Sequence, residues 1–376
     1  MKKYRTVLLI VFSILCLLLM SCQDDTPIVI AADSGTTIIE TEIVEEVSDN
    51  LPTFDFDKRE IRILSGLHGT YPVSTFSVEE QTGDLLDDIL YERNIKIEER
   101  FNVVFNEIVM KDIFNVNDQI KNTTYAGEDA YDIAMMIDRY ALRAGMDGQL
   151  LSYDKLPYID LDKPYWNKNV AEDFSIADKL FFTYGDDNLV YFGSTTMLVF
   201  NKNMLNDYSL DDPYQLVKEG KWTYNKYFEM GRAVVDDLNG DGVFDVEDQY
   251  GAVICTNMHY ANFWLQDGLK LVDKDSDDLP YFNVPGNDKL FSIFNEIFEK
   301  SNADNFSYDL YKRSDWKQSY TTSSEYNSAM MMFTAGKSLF ASASLITIME
   351  TRAMEEDFGI IPYPKSNETS VCISSS

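Results

Sequence analysis

The sequence predicts an α/β protein made of two α/β units, and three observations carry this. Short apolar runs at 60–65, 102–109 and 131–137 alternate with helix-period stretches, the clearest of which begins at Gly83. The run at 131–137, Tyr-Asp-Ile-Ala-Met-Met-Ile, is almost unbroken, as expected of a parallel strand covered on both faces. The alternation then restarts after residue 190 and continues to residue 365. A chain of 376 residues, 45% hydrophobic and 13% aromatic, has the length for two domains and the material for a large core.

The chain opens with Lys2, Lys3 and Arg5 before an apolar run at 7–20, which is short for a membrane span and suits a signal-peptide core over 1–21. The run ends Leu19-Met20-Ser21-Cys22, which resembles a bacterial lipobox. That resemblance implies that Cys22 is lipidated and anchors the protein on the extracytoplasmic face of the membrane. The alternative is a cleaved secretory signal whose Cys is incidental. Residues 22–56 are rich in Asp, Glu, Thr and Ser, have no helical period, and read as a disordered acidic tether.

Residues 57–190 form the first unit. Glu-Ile-Arg-Ile-Leu-Ser at 60–65 alternates and reads as a strand. On the helix that follows, Leu86, Ile89, Leu90, Ile97 and Phe101 share one face with Arg93, which is expected to be half-buried beside an acidic partner. A strand at 102–109, a weak helix at 113–122 and the apolar strand at 131–137 complete the pattern. Residues 179–201 read as two strands broken at Gly185-Asp186-Asp187-Asn188.

The second unit, 191–365, continues with a helix that Thr223 can cap and that runs to about Val235. A strand at 252–255 and a helix at 257–266 follow. Asn287 caps an amphipathic helix with Leu290, Phe291, Phe294, Ile297 and Phe298 on one face. A helix at 324–336, a strand at 337–343, a helix at 345–356 and a strand from Phe358 end the unit. A Ser-rich tail at 366–376 is expected to be disordered.

Within the second unit, residues 237–248 have the spacing of an EF-hand-type calcium loop. Asp237, Asn239, Asp241 and Asp248 stand at positions 1, 3, 5 and 12, with Gly242 at position 6. Val243 would supply its carbonyl at position 7, and Asp245 would ligate at position 9. Calcium is a hard cation that takes oxygen ligands, so this donor set fits Ca2+. With no nucleophile in the loop, the ion would be structural. Position 12 is Asp where Glu is usual, which lowers the expected affinity; a solvated acidic turn is the alternative.

Bulk properties exclude several classes of function. The net charge is −31, and more negative still without Lys2, Lys3 and Arg5, which argues against nucleic acid or anionic headgroups as partners of the folded part. Four Cys and two His, His68 and His259, show no metal spacing, disulfide framework or His-dependent triad.

Several stretches together resemble the family 1 extracellular solute-binding proteins, the lipid-anchored sugar-type receptors of ABC importers. They include Tyr91-Glu-Arg-Asn, Glu98-Glu-Arg-Phe-Asn, Tyr131-Asp-Ile, Leu156-Pro-Tyr and Leu198-Val-Phe-Asn-Lys. Gly220-Lys-Trp-Thr, the acidic loop with its Gln249-Tyr-Gly, Met332-Phe-Thr-Ala-Gly and Asp357-Phe-Gly-Ile-Ile-Pro-Tyr-Pro extend the series. The resemblance implies a two-lobed periplasmic-binding-protein-like fold of the second type, with a central cleft and a first crossing near 185–196. It implies a non-enzymatic, monomeric protein that captures a carbohydrate or similar polar solute and delivers it to ABC transporter permease subunits. The family normally continues well past the Ile-Pro-Tyr-Pro strand, so the resemblance also implies truncation at the C-terminus. A secreted carbohydrate-active enzyme and a surface adhesion lipoprotein are the competing readings.

Ligands of open α/β sheets bind beyond the carboxyl ends of the strands. Asp138 and Arg139 follow the third strand. Asp186, Asp187 and Tyr191 belong to the polar break, and Tyr260 and Trp264 lie one helical turn apart. Ser342 and Ser344 are small polar groups ending a strand. These are the candidate ligand-binding residues, and Trp264, suited to stacking on a sugar, is the sharpest; a half-buried core Trp is its alternative.

Overall fold

The computed structural model describes residues 47–68, 76–78, 80–255, 258–320, 322, 325–348 and 357–370. Cys22, its leader and the first part of the tether lie outside the described residues. The chain divides into Met1–Asp49 and Asn50–Ser376, and every described strand and helix lies in the latter.

The first layer is a parallel three-stranded sheet. Strand β1 (Arg59–Gly66) is central, between β2 (Val103–Met110) and β3 (Ile133–Ala134). Helix α1 (Leu85–Phe101) starts where Asp84 accepts the amides of Leu86 and Asp87, and ends at Asn102 in the left-handed conformation. Helix α2 (Phe114–Ala126) ends at Gly127, with φ 70°, and packs Val116 and Ile120 on Leu64. Arg93 is half-buried as expected, but its guanidinium donates to Phe76 O at 3.0 Å and to Asn94 Oδ1, and lies over the Phe76 ring. Desolvation lowers its pKa, while the charges of Asp187 and Glu107 oppose that shift.

Only two residues of the expected third strand pair in the ladder. Its flanks still bond β1, Asp132 N to Arg62 O at 2.9 Å and Met135 N to Leu64 O at 2.8 Å. Ile133 is exposed, so the outer face of this edge strand is not covered. Helix α3 (Asp138–Met146) follows directly. Helix α4 (Lys168–Phe174) sits against α3 through Val170 and Phe182 around Ala141.

Residues 179–184 form no strand. Ala177 and Asp178, with φ 50° and 60°, make a left-handed two-residue turn, and the chain then runs irregularly to Gly185. The polar break is a turn: Asn188 accepts the Tyr191 amide and starts helix α5 (Leu189–Gly193). Strand β4 (Thr196–Asn201) enters the second layer.

That layer is a five-stranded sheet in the order β10-β4-β9-β5-β8. Helices α6 (Lys202–Asp207), α7 (Pro213–Lys218) and α8 (Tyr224–Arg232) follow β4, and Thr223 caps α8 as expected. Then come β5 (Tyr250–Ile254), α9 (Met258–Gln266), the hairpin β6 (Val272–Lys274) and β7 (Pro280–Phe282), α10 (Asp288–Asn302) and β8 (Ser307–Asp309). Helix α11 (Glu325–Thr334), β9 (Ser338–Ser344), α12 (Leu345–Ile348) and β10 (Phe358–Ile361) complete it. Strand β4 is antiparallel to β9 and β10, and β5 is parallel to β8 and β9. The carboxyl ends of four strands and the amino end of β4 therefore lie along one border.

The core of this layer is aromatic: Tyr227, Phe263, Phe306 and Phe340 are fully buried, with ring centroids about 5 Å from that of Tyr227. Gly231 and Gly251 approach so closely that a Cβ on either would meet Phe306 at under 3 Å. Helix α10 is rotated from the expected face. It buries Leu290, Ile293, Ile297 and Ser301, and leaves Phe291, Phe294 and Phe298 exposed at 48%, 40% and 42%. The tail is tied down through residue 370, where Ser366 N donates to Asp267 Oδ1 at 3.0 Å and Lys365 Nζ donates to Ser370 O at 3.0 Å. Among the described residues no helix is long and apolar enough to cross a membrane.

Candidate functional site

The site is built where the first layer passes into the second. Asp138 opens α3 just beyond β3. Its Oδ1 accepts the Arg139 amide at 2.6 Å, and its Oδ2 accepts the Tyr184 hydroxyl at 3.3 Å. Burial, reinforced by the Asp138 charge, raises the pKa of Tyr184, which stays a protonated donor at neutral pH. The Tyr184 ring lies 5.2 Å from that of Tyr191 on α5, and the Tyr191 hydroxyl accepts from Asn167 Nδ2 at 2.6 Å. Asp138 and Tyr191, 53 positions apart, are thus joined through Tyr184. Arg139 is exposed, with its guanidinium over the Tyr140 ring at 4.9 Å. Asp186 and Asp187 are exposed in the turn that caps α5.

Helix α5 carries this cluster to the second layer: a Cβ on Gly193 would stand 3.8 Å from Ile346 of α12. Ser344 ends β9 opposite Thr196 and bonds the first turn of α12, its amide donating to Thr347 Oγ1 at 2.8 Å. Ser342 is buried, its Oγ 2.6 Å from His259 Nδ1 and accepting from the Tyr363 hydroxyl at 2.9 Å. Burial pushes His259 down to about 3 and Tyr363 up to about 12, so both are neutral at physiological pH. Beside them is a recess of about 220 Å³ whose lining includes Thr195, Thr196, Gln266, Pro362 and Tyr363. A groove of about 490 Å³ between α7 and α8 is larger, but both of its lysines are paired within it, Lys226 with Asp211 and Glu229, and Lys221 with Glu219.

Tyr260 and Trp264 lie elsewhere. Both are 8% exposed and belong to the aromatic core, with the Trp264 ring 5.9 Å from Phe294. Their shared helical face is the face α9 turns to α10, which is why the spacing that marked them also buries them. Tyr184, Asn167, His259 and Tyr363 were not singled out by the sequence. Tyr184 carried one signal, its place directly before the Gly185 break.

In the acidic loop, Asp237 accepts the amides of Gly240 and Gly242 at 2.8 and 2.7 Å, with both glycines at positive φ. Asn239 Oδ1 accepts from Asp241, and Asp241 from Val243. Asp245 accepts from Glu247, while the fully buried Asp248 accepts from Leu238 at 3.0 Å and Asp245 at 2.8 Å. The donor types suit calcium, and the amides bend the loop around its own oxygens. Among the described residues, however, no three His, Cys, Asp or Glu side chains converge as a metal centre.

No protein-family model matches the chain, and no curated protein matches it in sequence. Solved structures do match in fold. A cyclo/maltodextrin-binding protein complexed with maltotetraose superposes with a TM-score of 0.52 at 12% identity, over 84% of this chain and 67% of that one. The chain has that fold. UspC from M. tuberculosis superposes with a TM-score of 0.51 at 14% identity, over 83% of this chain and 70% of that one. The protein is a mixed α/β chain with the fold of these proteins, and spans about two thirds of the length of each.

Proposed function

We propose that the protein is an extracytoplasmic solute-binding protein that captures a carbohydrate or similar polar solute between its two layers and delivers it to an ABC importer. The observation that carries this reading is the fold shared with a cyclo/maltodextrin-binding protein whose structure holds maltotetraose. The layout supports it: tyrosine faces, a carboxylate and small hydroxyls gather where the strands' carboxyl ends meet the crossing helix α5. In this reading Asp138, Tyr184 and Tyr191 offer hydrogen bonds and ring faces from the first layer, and Ser344 and the recess beside Tyr363 close the site from the second. Arg139, Asp186 and Asp187 border it in solvent. Trp264 and Tyr260 hold the wall in place from behind.

Two further proposals complete the reading. Cys22 carries the lipid that anchors the chain outside the cell, and the acidic loop holds one structural calcium through Asp237, Asn239, Asp241, Asp245, Asp248 and the Val243 carbonyl. A structural ion there would brace the connection between α8 and β5.

The test is calorimetric titration and a thermal-shift panel of maltotetraose, shorter glucose oligomers and simple polyols. Saturable binding of one of them, with a raised melting temperature and no turnover of the sugar, is the expected result. Hydrolysis of the sugar would replace the reading with that of a secreted enzyme. Indifference to the whole panel would favour an adhesion role.

A further inference from the structure

The α4 segment and the β6–β7 hairpin, about 100 residues apart in sequence, are joined by a contact that Lys274, Asp278 and Ser175 make with their side chains. Lys274 and Asp278 form an ion pair at 2.8 Å with side chains only 17% and 19% exposed. The Lys274 ammonium has three N–H donors. It spends them on Asp278 Oδ1, on Ser175 Oγ at 2.7 Å and on the Glu172 carbonyl. Asp278 returns the contact to the same segment. Its Oδ1 accepts from Ser175 Oγ at 3.0 Å, its Oδ2 from the Asp178 amide at 2.9 Å, and its backbone carbonyl from the Ala177 amide at 3.1 Å. Those two amides belong to the left-handed turn, with φ 50° and 60°. The left-handed conformation is disfavoured for residues with a Cβ, and the hairpin bonds this turn directly. Lys270 adds an ion pair to Asp173 at 2.6 Å. The Lys274 hydrogen bond holds the Asp278 carboxyl below its ordinary range.

The two ends of the contact are rooted in different layers. The α4 segment is rooted through Val170 and Phe182 in the cluster that continues to Leu64 of β1, whereas Leu269 and Val284, flanking the hairpin, pack on the aromatic core of the five-stranded sheet. We propose that Lys274, Asp278 and the 175–178 turn form a clasp that fixes the first layer against the second. Releasing it would let the two layers move as separate bodies. A site assembled from both layers then has its geometry set partly by a contact that takes no part in binding.

The experiment uses the full chain, with Lys274→Met and Asp278→Ala as disrupting variants and Ser175→Ala as a milder one. Hydrogen exchange reads the clasp, and small-angle scattering reads the two layers. At least tenfold faster exchange of the Ala177 and Asp178 amides is expected in Asp278→Ala. Unchanged exchange in β4 and β9 would show that the fold persists, and a larger radius of gyration is expected in both disrupting variants. Raising salt from 0.05 to 0.5 M shortens the screening length from more than about 10 Å to a few Å, and is expected to move the wild type partway toward the variants. Unchanged exchange at 177 and 178 would overturn the clasp itself. Faster local exchange with unaltered scattering would overturn its role between the layers. If Lys274→Met does not fold, Ser175→Ala decides by the same two readings.

Discussion

The two layers are held together in different ways. The five-stranded layer surrounds a continuous aromatic core in which Tyr227, Phe228, Phe263, Phe306 and Phe340 touch one another with almost no exposed area. The three-stranded layer buries Leu64, Val116 and Ile120 in one small cluster and Ala141, Val170 and Phe182 in another, and leaves Val104, Ile108 and Ile133 exposed. Polar bonds accompany these small clusters. Arg62 meets Asp129 at 2.7 Å and Asp132 at 3.0 Å, and Glu107 accepts the amides of Phe76 and Ser77 at 2.8 and 2.6 Å. The contrast is between a stiff aromatic frame and a thinner layer held by two small apolar clusters and a set of polar bonds.

The largest expected effect breaks the frame. Phe340→Ala removes a ring that packs on Trp222 and Tyr227, and is expected to cost about 3–5 kcal/mol. Ile120→Val in the first layer is expected to cost only about 0.5–1.5 kcal/mol. Denaturant unfolding of both variants checks this. Equal losses would show that one methyl group in the first core matters as much as a whole ring in the second, and would reverse the contrast.

Next comes the acidic loop. If it holds calcium, an ion at a hundredfold excess over its dissociation constant adds about 2.7 kcal/mol to the folded state. A chelator is then expected to lower the melting temperature of the wild type, and Asp241→Ala to abolish that sensitivity. A melting curve indifferent to calcium and chelator in both proteins would leave the loop as a turn closed by its own amides.

His259 sharpens the comparison through pH. Its folded pKa of about 3 lies below the unfolded value of about 6.5, so the unfolded chain binds the extra proton. This contribution is present above pH 6.5 and is lost as pH falls toward 3, by about 1.4 kcal/mol per unit. Between pH 6.5 and 5 the expected loss is about 2 kcal/mol, before the carboxylates begin to titrate. Asp132, held at about 2 chiefly by its Arg62 hydrogen bond, loses its contribution only below about pH 4. Stability curves at pH 7, 6 and 5 for the wild type and His259→Asn test this, since the variant should lose the slope in that window. An unchanged slope would assign the window to another group.

Much of this arrangement was legible in the residues. The α/β alternation, the caps at Thr223 and Asn287, the strands β1 and β2, and the six residues of β4 follow from period and capping chemistry, which are local, whereas Leu189–Gly193, expected to begin the same strand as β4, are helix α5. What failed was tertiary. The aromatic spacing of Tyr260 and Trp264 cannot distinguish a face turned to a ligand from one turned to α10. The apolar width of α10 admits two rotations, and packing chose the one that buries Ile293 and exposes Phe291. At 179–184, β-prone residues form no strand, and the left-handed turn that precedes them at Ala177 and Asp178 is bonded to Asp278, about 100 residues away, a partner that no local pattern shows. Of the candidate cluster, Asp138 and Tyr191 were picked out singly from the sequence, while Tyr184, which joins them, became visible only in three dimensions.

The smallest expected effect on stability is the most telling for function. Tyr184→Phe removes one hydroxyl that donates to Asp138 Oδ2 at 3.3 Å and keeps the ring against Tyr191. A single hydrogen bond of this kind contributes about 1 kcal/mol net, so the ligand-free melting temperature should hardly move. Binding should respond more, because the change removes a polar group aimed at the strand ends and releases the Asp138 carboxylate. The expected outcome is a loss of most of the thermal shift given by maltotetraose, or by whichever panel sugar stabilises the wild type. Trp264→Ala is the control, and should lower the ligand-free melting temperature strongly, as a core deletion does. A Tyr184→Phe protein that is as destabilised as Trp264→Ala would return Tyr184 to the core. One that melts and binds like the wild type would remove Tyr184 from the site and leave the tyrosine pair as packing between α3 and α5.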